Sequence, residues 1–361
     1  MKDIHGGDIW KASAESGSEA GSLLDFSASI NPLGLSPRAR SAVKEAIGLV
    51  GAYPEPASSA LKSALASFHS VAPLSLAAGN GSTEFIYLLP QVFKPRSALI
   101  VEPAFSEYRK ALEVFGCPVD SFVLRAEEGF SFDLKRFEKK ARNGYGLVYI
   151  GNPSNPTGAV VEKEAVIEAA GVLERYGSTL VVDEAFADFS ERCSVKREAV
   201  KRKNIVVLRS MTKFFSMAGL RLGFIVSNRG VVKRFSKRLP PWSVNTVASF
   251  AAEAALGDAP YIERTQRWLA SEKEFLFNEL KGLKRFTVYP SEANYLMVRI
   301  KGAGLNASEV RGALLKRGIL VRDLSSFRGL GPEYLRFAVK KREENAALID
   351  GLKRVFRRSG P

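Results

Sequence analysis

Between residues 74 and 228 the chain alternates short β-branched runs with longer amphipathic segments, and that alternation leaves few folds open. The apolar runs cover 74–78, 98–101, 119–124, 147–150, 179–182, 205–208 and 222–226. Segments such as 83–92, 107–115, 134–141 and 163–176 lie between them and carry helical periodicity. Strand and helix in alternation read as an α/β domain, a mainly parallel sheet covered on both faces. In such sheets ligands bind beyond the carboxyl ends of the strands. Chemistry is therefore expected just after each apolar run.

After 74–78 comes GNGSTE, which runs into a helix. Close backbone approach before a helix N-terminus makes a phosphate cradle at Gly81 and Ser82, although two glycines also make an ordinary turn. After 147–150 comes GNPSNPTG, whose Asn-Pro steps form a stiff connector and offer the Asn155 amide at a strand end. Asp183 follows 179–182, and a carboxylate closing a buried strand needs a positive partner such as a protonated ring nitrogen. The fourth site, RSMTKFFSMAGLRLGF, follows 205–208. It sets Lys213 among Phe214, Phe215 and Met217, where desolvation lowers an amine's pKa and makes it a nucleophile for carbonyls. Ser210, Thr212 and Arg221 add hydroxyls and a guanidinium fit for a phosphate. A phosphate cradle, an amide, a carboxylate and a flanked lysine are together what pyridoxal 5′-phosphate requires.

Through NPTG at 155–158, DEAF at 183–186 and SMTKFFSMAGLRLG at 210–223, the chain resembles the aspartate-aminotransferase superfamily, fold type I of the pyridoxal-phosphate enzymes. The resemblance extends over nearly the whole chain. It implies a large domain with a mainly parallel central sheet and a smaller α+β domain. Lys213 and Asp183 would be catalytic, the first bonding the cofactor aldehyde and the second pairing with the pyridine nitrogen. Asn155 would bond the ring oxygen, Phe105 would stack on the ring, and Gly81, Ser82, Ser210, Thr212 and Arg221 would hold the phosphate. Family members are usually homodimers with sites at the subunit interface, so Tyr53, in AYPEP, matches a tyrosine that reaches the partner's cofactor phosphate. Arg336, in YLRFAV, matches the arginine that takes the substrate α-carboxylate.

Two branches of the superfamily handle phosphate esters of small amines. One transfers the amino group of histidinol phosphate to 2-oxoglutarate, and the other decarboxylates a phosphorylated amino acid for cobalamin biosynthesis. HGG at residues 5–7, DFSASINPLG, PWSVN at 241–245 and Phe186 in place of a common tyrosine resemble the decarboxylating branch. By that likeness His5, Gly6 and Arg322 would hold the substrate phosphate, while Asn31, Asn155 and Arg336 would meet the amino-acid part. His69, in ASFHSV, reads as structural.

Beyond Pro240-Pro241 the pattern changes to a long helical stretch, 244–280, and then strands near 286–288, 295–300, 319–321 and 334–339. The expected domains are an arm over 1–40 that packs with the small domain and the active site, a large cofactor domain over 41–243, and a linker helix with the small domain over 244–361. A net charge of +15 raises the question of nucleic acid, but the basic runs at 196–203, 233–238, 340–342 and 353–358 sit at helix-like spacing beside apolar residues. They read as solvated faces, and no zinc-finger, helix-turn-helix or aromatic RNP pattern accompanies them. Cys117 and Cys193 lie far apart, in no metal-like or redox-like spacing, so neither a disulfide nor a metal site is expected. With no signal-like or bilayer-length apolar run, the expectation is a cytoplasmic enzyme without membrane contact.

Overall fold

The computed structural model describes residues 5–302 and 304–357. Residues 1–4 of the expected arm, Arg358 of the last basic run and the residues beyond it lie outside them. The N-terminal segment contributes β1 (Leu24–Asp25). A seven-stranded sheet is built from β2 (Leu76–Gly79), β3 (Ala98–Glu102), β4 (Val119–Val123), β5 (Leu147–Gly151), β6 (Thr179–Asp183), β7 (Ile205–Ser210) and β8 (Gly223–Val226). Its order is β2-β8-β7-β6-β5-β3-β4, with β8 antiparallel to both neighbours and every other pairing parallel. The first apolar run enters the sheet two residues late, because Pro73–Ser75 forms a 3-10 turn.

Successive residues of one strand feed opposite faces, as the pleat requires. Val148, Ile150, Val182 and Val207 join one apolar cluster, whereas Leu147, Tyr149, Val181 and Val206 join the other. That two-sided burial is why these strands read as continuous apolar runs. Helices Ser82–Phe93, Ser106–Val114, Leu134–Ala141 and Lys163–Glu174 fall where periodicity places them.

The second sheet uses β9 (Phe286–Val288), β10 (Tyr295–Ile300), β12 (Arg322–Asp323) and β13 (Tyr334–Ala338), while β11 (Ile319–Leu320) pairs in parallel with β1. The N-terminal segment is thus stitched to the small domain by main-chain hydrogen bonds. The long stretch 244–280 is two helices, Thr246–Leu256 and Ala259–Gly282, split at Gly257-Asp258, where the Asp258 carboxylate caps the second and Pro260 occupies its first turn. Ala248, Ala251 and Ala252 of the first helix pack in the large core with Leu61 and Leu65. Along the second, Tyr261 belongs to the large core but Leu269, Leu276 and Leu280 belong to the small one. The handover between cores therefore falls inside Ala259–Gly282, later than the composition break at Pro240-Pro241. No helix among the described residues is long and apolar enough to cross a membrane.

Candidate active site

The carboxyl ends of β2, β5, β6 and β7 meet at one edge of the large sheet, and each delivers a piece of the site. A cavity of about 280 Å³ opens there. It is lined by Ser82, Phe105, Asn155, Asp183, Thr212, Lys213, Arg221 and Arg336, joined by His5 and Gly6 of the arm.

At the end of β2, Gly81 has φ +82 and caps helix Ser82–Phe93. A Cβ there would stand 2.7 Å from Arg221 Nη2, so a side chain would fill the space between helix N-terminus and guanidinium. Arg221 itself adopts a left-handed φ of 58, a conformation most non-glycine residues avoid. The Ser210 and Thr212 hydroxyls lie 2.7 Å apart, with Thr212 on the cavity wall and Ser210 behind it. Main-chain N–H groups, hydroxyls and a cation converging on one spot form an anion site.

Lys213 is buried, and desolvation pulls its pKa down to about 8 against the opposing pull of Asp183. Arg221 and Arg336 push it further the same way. Asp183 ends β6 and accepts the Tyr108 hydroxyl on Oδ2 at 2.5 Å and the Ala185 N–H on Oδ1 at 2.9 Å. Burial raises its carboxyl pKa, while those hydrogen bonds and the Lys213 charge oppose the rise. A cation against this carboxylate would tip the balance toward ionisation. Behind it, Glu184 and Arg209 form a fully buried ion pair at 2.8 Å, and Asp188 and Glu191 also meet the Arg209 guanidinium. The pair ties the residue after Asp183 to the residue before Ser210.

Arg336 on β13 reaches the cavity from the small domain. Its Nη1 donates to Asn155 Oδ1 and its Nη2 to the Ser27 carbonyl at 2.8 Å, while Nε is buried without a partner. The Asn155 carbonyl is thus engaged and its amide N–H₂ left for another acceptor. Arg336 stands directly opposite Arg322 across the β12–β13 ladder. Like charges in that register repel, which fits a pair kept for anionic ligands.

The expected substrate contacts divide. His5 and Gly6 are in the cavity, with His5 Nε2 3.0 Å from Glu107 Oε1. Arg322 lines a neighbouring cavity of about 620 Å³ with Arg109, Lys110 and Arg328, and its guanidinium lies 5.4 Å from the Phe327 ring. Phe105 is a shared wall, so in this conformation His5 and Arg322 face different spaces. Asn31 is turned away: its amide donates to the Phe214 carbonyl, Tyr261 Oη and Thr265 Oγ1, and its carbonyl accepts the Leu33 N–H. With its amide and its carbonyl both engaged in the interior, the Asn31 side chain does not line the cavity in this conformation. Ser29, two residues earlier, lines the cavity with a buried hydroxyl that lacks a partner. Tyr53 is outside the cavity, 82% exposed and stacked on Trp242 at 4.6 Å. His69 is buried against Phe224 with Nδ1 3.3 Å from Lys196 Nζ, away from the cavity.

Sequence reasoning missed Ser29, Tyr108 and Arg209. Tyr108 carried a signal, since it lies in the first turn of the helix that Phe105 precedes, and the two rings meet edge-on at 5.8 Å.

A parallel α/β sheet whose strand ends gather a desolvated lysine, a buried carboxylate and an anion cradle defines a lysine-based, cofactor-dependent class of enzyme. The chain belongs to the aminotransferase class I and II family, which matches residues 22–352. It is 34% identical to the threonine-phosphate decarboxylase of Salmonella typhimurium, over 99% of this chain and 97% of that one. Identity to the histidinol-phosphate aminotransferase of Symbiobacterium thermophilum is 37%, over 92% of this chain and 90% of that one. In fold it matches the histidinol-phosphate aminotransferase of Sinorhizobium meliloti, solved in complex with pyridoxal-5′-phosphate, with a TM-score of 0.88, 21% identity and coverage of 99% and 96%.

Proposed function

We propose that this chain binds pyridoxal 5′-phosphate and decarboxylates L-threonine O-3-phosphate to (R)-1-amino-2-propanol O-2-phosphate, a step of cobalamin biosynthesis. One observation carries the reading: His5 and Gly6 of the arm line the same cavity as Lys213, Asp183 and Arg336. A substrate bearing a carboxylate and a phosphate on one small skeleton needs readers at both ends, and the arm supplies the second. The likeness to the Salmonella decarboxylase over 99% of the chain supports the same choice. So does Phe186, whose ring lies edge-on to Tyr295 and 5.7 Å from Lys213 Nζ and carries no hydroxyl.

The residues present fit the cofactor: the cradle that a Cβ on Gly81 would fill suits its phosphate, and Asp183 suits its ring nitrogen. When bound, the cofactor supplies an electron sink for bonds at the substrate α-carbon. Lys213 holds its amine in an apolar setting where about a tenth of it is unprotonated at pH 7, far more than for an ordinary lysine. Arg336, with an unpartnered Nε, takes the substrate carboxylate, and Asn155 fixes the guanidinium in plane. The Ser29 hydroxyl is free for a substrate oxygen. Holding both substrate ends converts binding energy into orientation, which selects the bond that breaks. The exposed Tyr53–Trp242 stack is the face we assign to a second copy in a homodimer.

The test is a pair of assays on the purified holoenzyme. Threonine phosphate should release carbon dioxide. Histidinol phosphate with 2-oxoglutarate should yield no glutamate; glutamate without carbon dioxide would instead establish the aminotransferase reading that the 37% identity favours.

A further inference from the structure

We propose that Ser27 is a positioning residue that couples the Arg336 clamp to the N-terminal arm, so that the two ends of the substrate are read together. The inference rests on the reading of Arg336 and His5 given above. Ser27 is buried, and its polar groups point three ways. Its carbonyl accepts Arg336 Nη2 at 2.8 Å, its Oγ accepts the Gly7 N–H at 2.8 Å, and the same hydroxyl donates to Asp25 Oδ1 at 2.6 Å. Asp25 Oδ1 also accepts the main-chain N–H of Ser27 at 2.8 Å and of Ala28 at 3.3 Å, so the loop is pinned from below. Contact with the arm continues one residue further. A Cβ on Gly6 would stand 2.2 Å from the Ser27 carbonyl oxygen, the atom that holds Arg336, so the arm backbone lies directly on it.

A carboxylate that takes the unpartnered Nε of Arg336 holds the guanidinium in the plane from which Nη2 reaches the Ser27 carbonyl. Any adjustment of the guanidinium is felt by Ser27, and through Oγ by the turn that carries His5 and Gly6. Linkage makes the effect reciprocal: a docked arm favours the clamp's ligand, and an occupied clamp favours docking. The His5–Glu107 contact is a weaker anchor, since the His5 side chain is 45% exposed and solvent screens the pair.

Three holoenzyme variants test this: Ser27→Ala, Gly7→Pro and the double variant. Ser27→Ala leaves Asp25 two main-chain donors. Gly7→Pro removes the N–H from the other end of the same bond without touching the core; because proline cannot adopt the Gly7 φ of +87, it also undocks the turn. Hydrogen exchange across residues 5–16 should speed up in each variant. L-Threonine, which has the carboxylate but no phosphate, should slow that exchange in the wild type and not in Ser27→Ala. The KM for threonine phosphate should rise about 3- to 10-fold in Ser27→Ala with kcat little changed, the range expected for one neutral hydrogen bond, and at least as much in Gly7→Pro, which undocks the whole turn. The double variant should be no worse than Gly7→Pro alone. Additive effects, unchanged exchange in Ser27→Ala, or no effect of L-threonine on the wild-type arm would each overturn the coupling. A wrong substrate shows separately, as absence of carbon dioxide from the wild type while the exchange comparison still stands.

Discussion

The Lys213 amine offers a quantitative test of the site. An amine attacks an aldehyde only when unprotonated, so uptake of pyridoxal phosphate by the cofactor-free protein tracks the neutral fraction of Lys213. Burial draws its pKa to about 8, from an ordinary value of 10.5. At pH 7.5 about a quarter of the amine is then neutral, against roughly one part in a thousand for an unperturbed lysine. Stopped-flow absorbance between pH 7 and pH 10 reads the difference. With the knee near 8, the uptake rate should rise only about tenfold over that interval and level off above pH 9. An unperturbed lysine would give a rise of several hundredfold, still about eightfold over the last unit. The sign of the neighbours gives a second check. Asp183 favours the charged amine, so Asp183→Asn should move the knee to lower pH. A rate that keeps climbing between pH 9 and pH 10 in the wild type would refute the argument that desolvation dominates this lysine.

Arg336→Lys should raise the KM for threonine phosphate about tenfold to a hundredfold while cofactor content, read by absorbance, stays unchanged, because an ammonium cannot hold Asn155, Ser27 and a carboxylate with one planar fork. Arg209→Leu strands the buried Glu184 carboxylate and should cost about 3–5 kcal/mol in urea unfolding; adding Glu184→Leu should recover only part of that loss, since it removes one orphaned charge while Asp188 still lacks its Arg209 partner.

Much of this fold is written locally. The strands of the large sheet, apart from the half-exposed edge strand Val119–Val123, are legible because each is buried on two faces and so appears as an apolar run. The helices between them are legible from a period of 3.6. Gly257-Asp258 is harder to see: the apolar pattern continues across it, and only a capping carboxylate followed by Pro260 shows that one long helix is two. Which core a helix joins is less legible still. Ala248 and Leu269 sit on consecutive helices, yet one packs with Leu61 and the other with Leu335. That choice is made by partners some two hundred residues away for the first and about sixty-five for the second.

The site divides along the same line. Lys213, Asp183, Asn155 and the phosphate cradle are legible because a parallel sheet dictates where its strand ends go. The residues proposed to meet the substrate come from the arm and the small domain, and nothing in their local sequence fixes which way each side chain turns. Asn31 illustrates the limit. As a polar residue between Ile30 and Pro32 it has the chemistry of a ligand, and a strand-like period of two places it on the same side as Ser27 and Ser29. The three then take different roles. Asn31 is claimed by the Phe214 carbonyl, Tyr261 and Thr265. Ser27 is held by Asp25 and Gly7, and Ser29 Oγ is left facing the cavity. An amide is costly to bury unsatisfied, so an interior that meets both its N–H₂ and its carbonyl can take it. A serine hydroxyl asks for less and can be left at the wall. The Asn31 amide in DFSASIN thus braces the loop, and the Ser29 hydroxyl is the one left on the cavity wall.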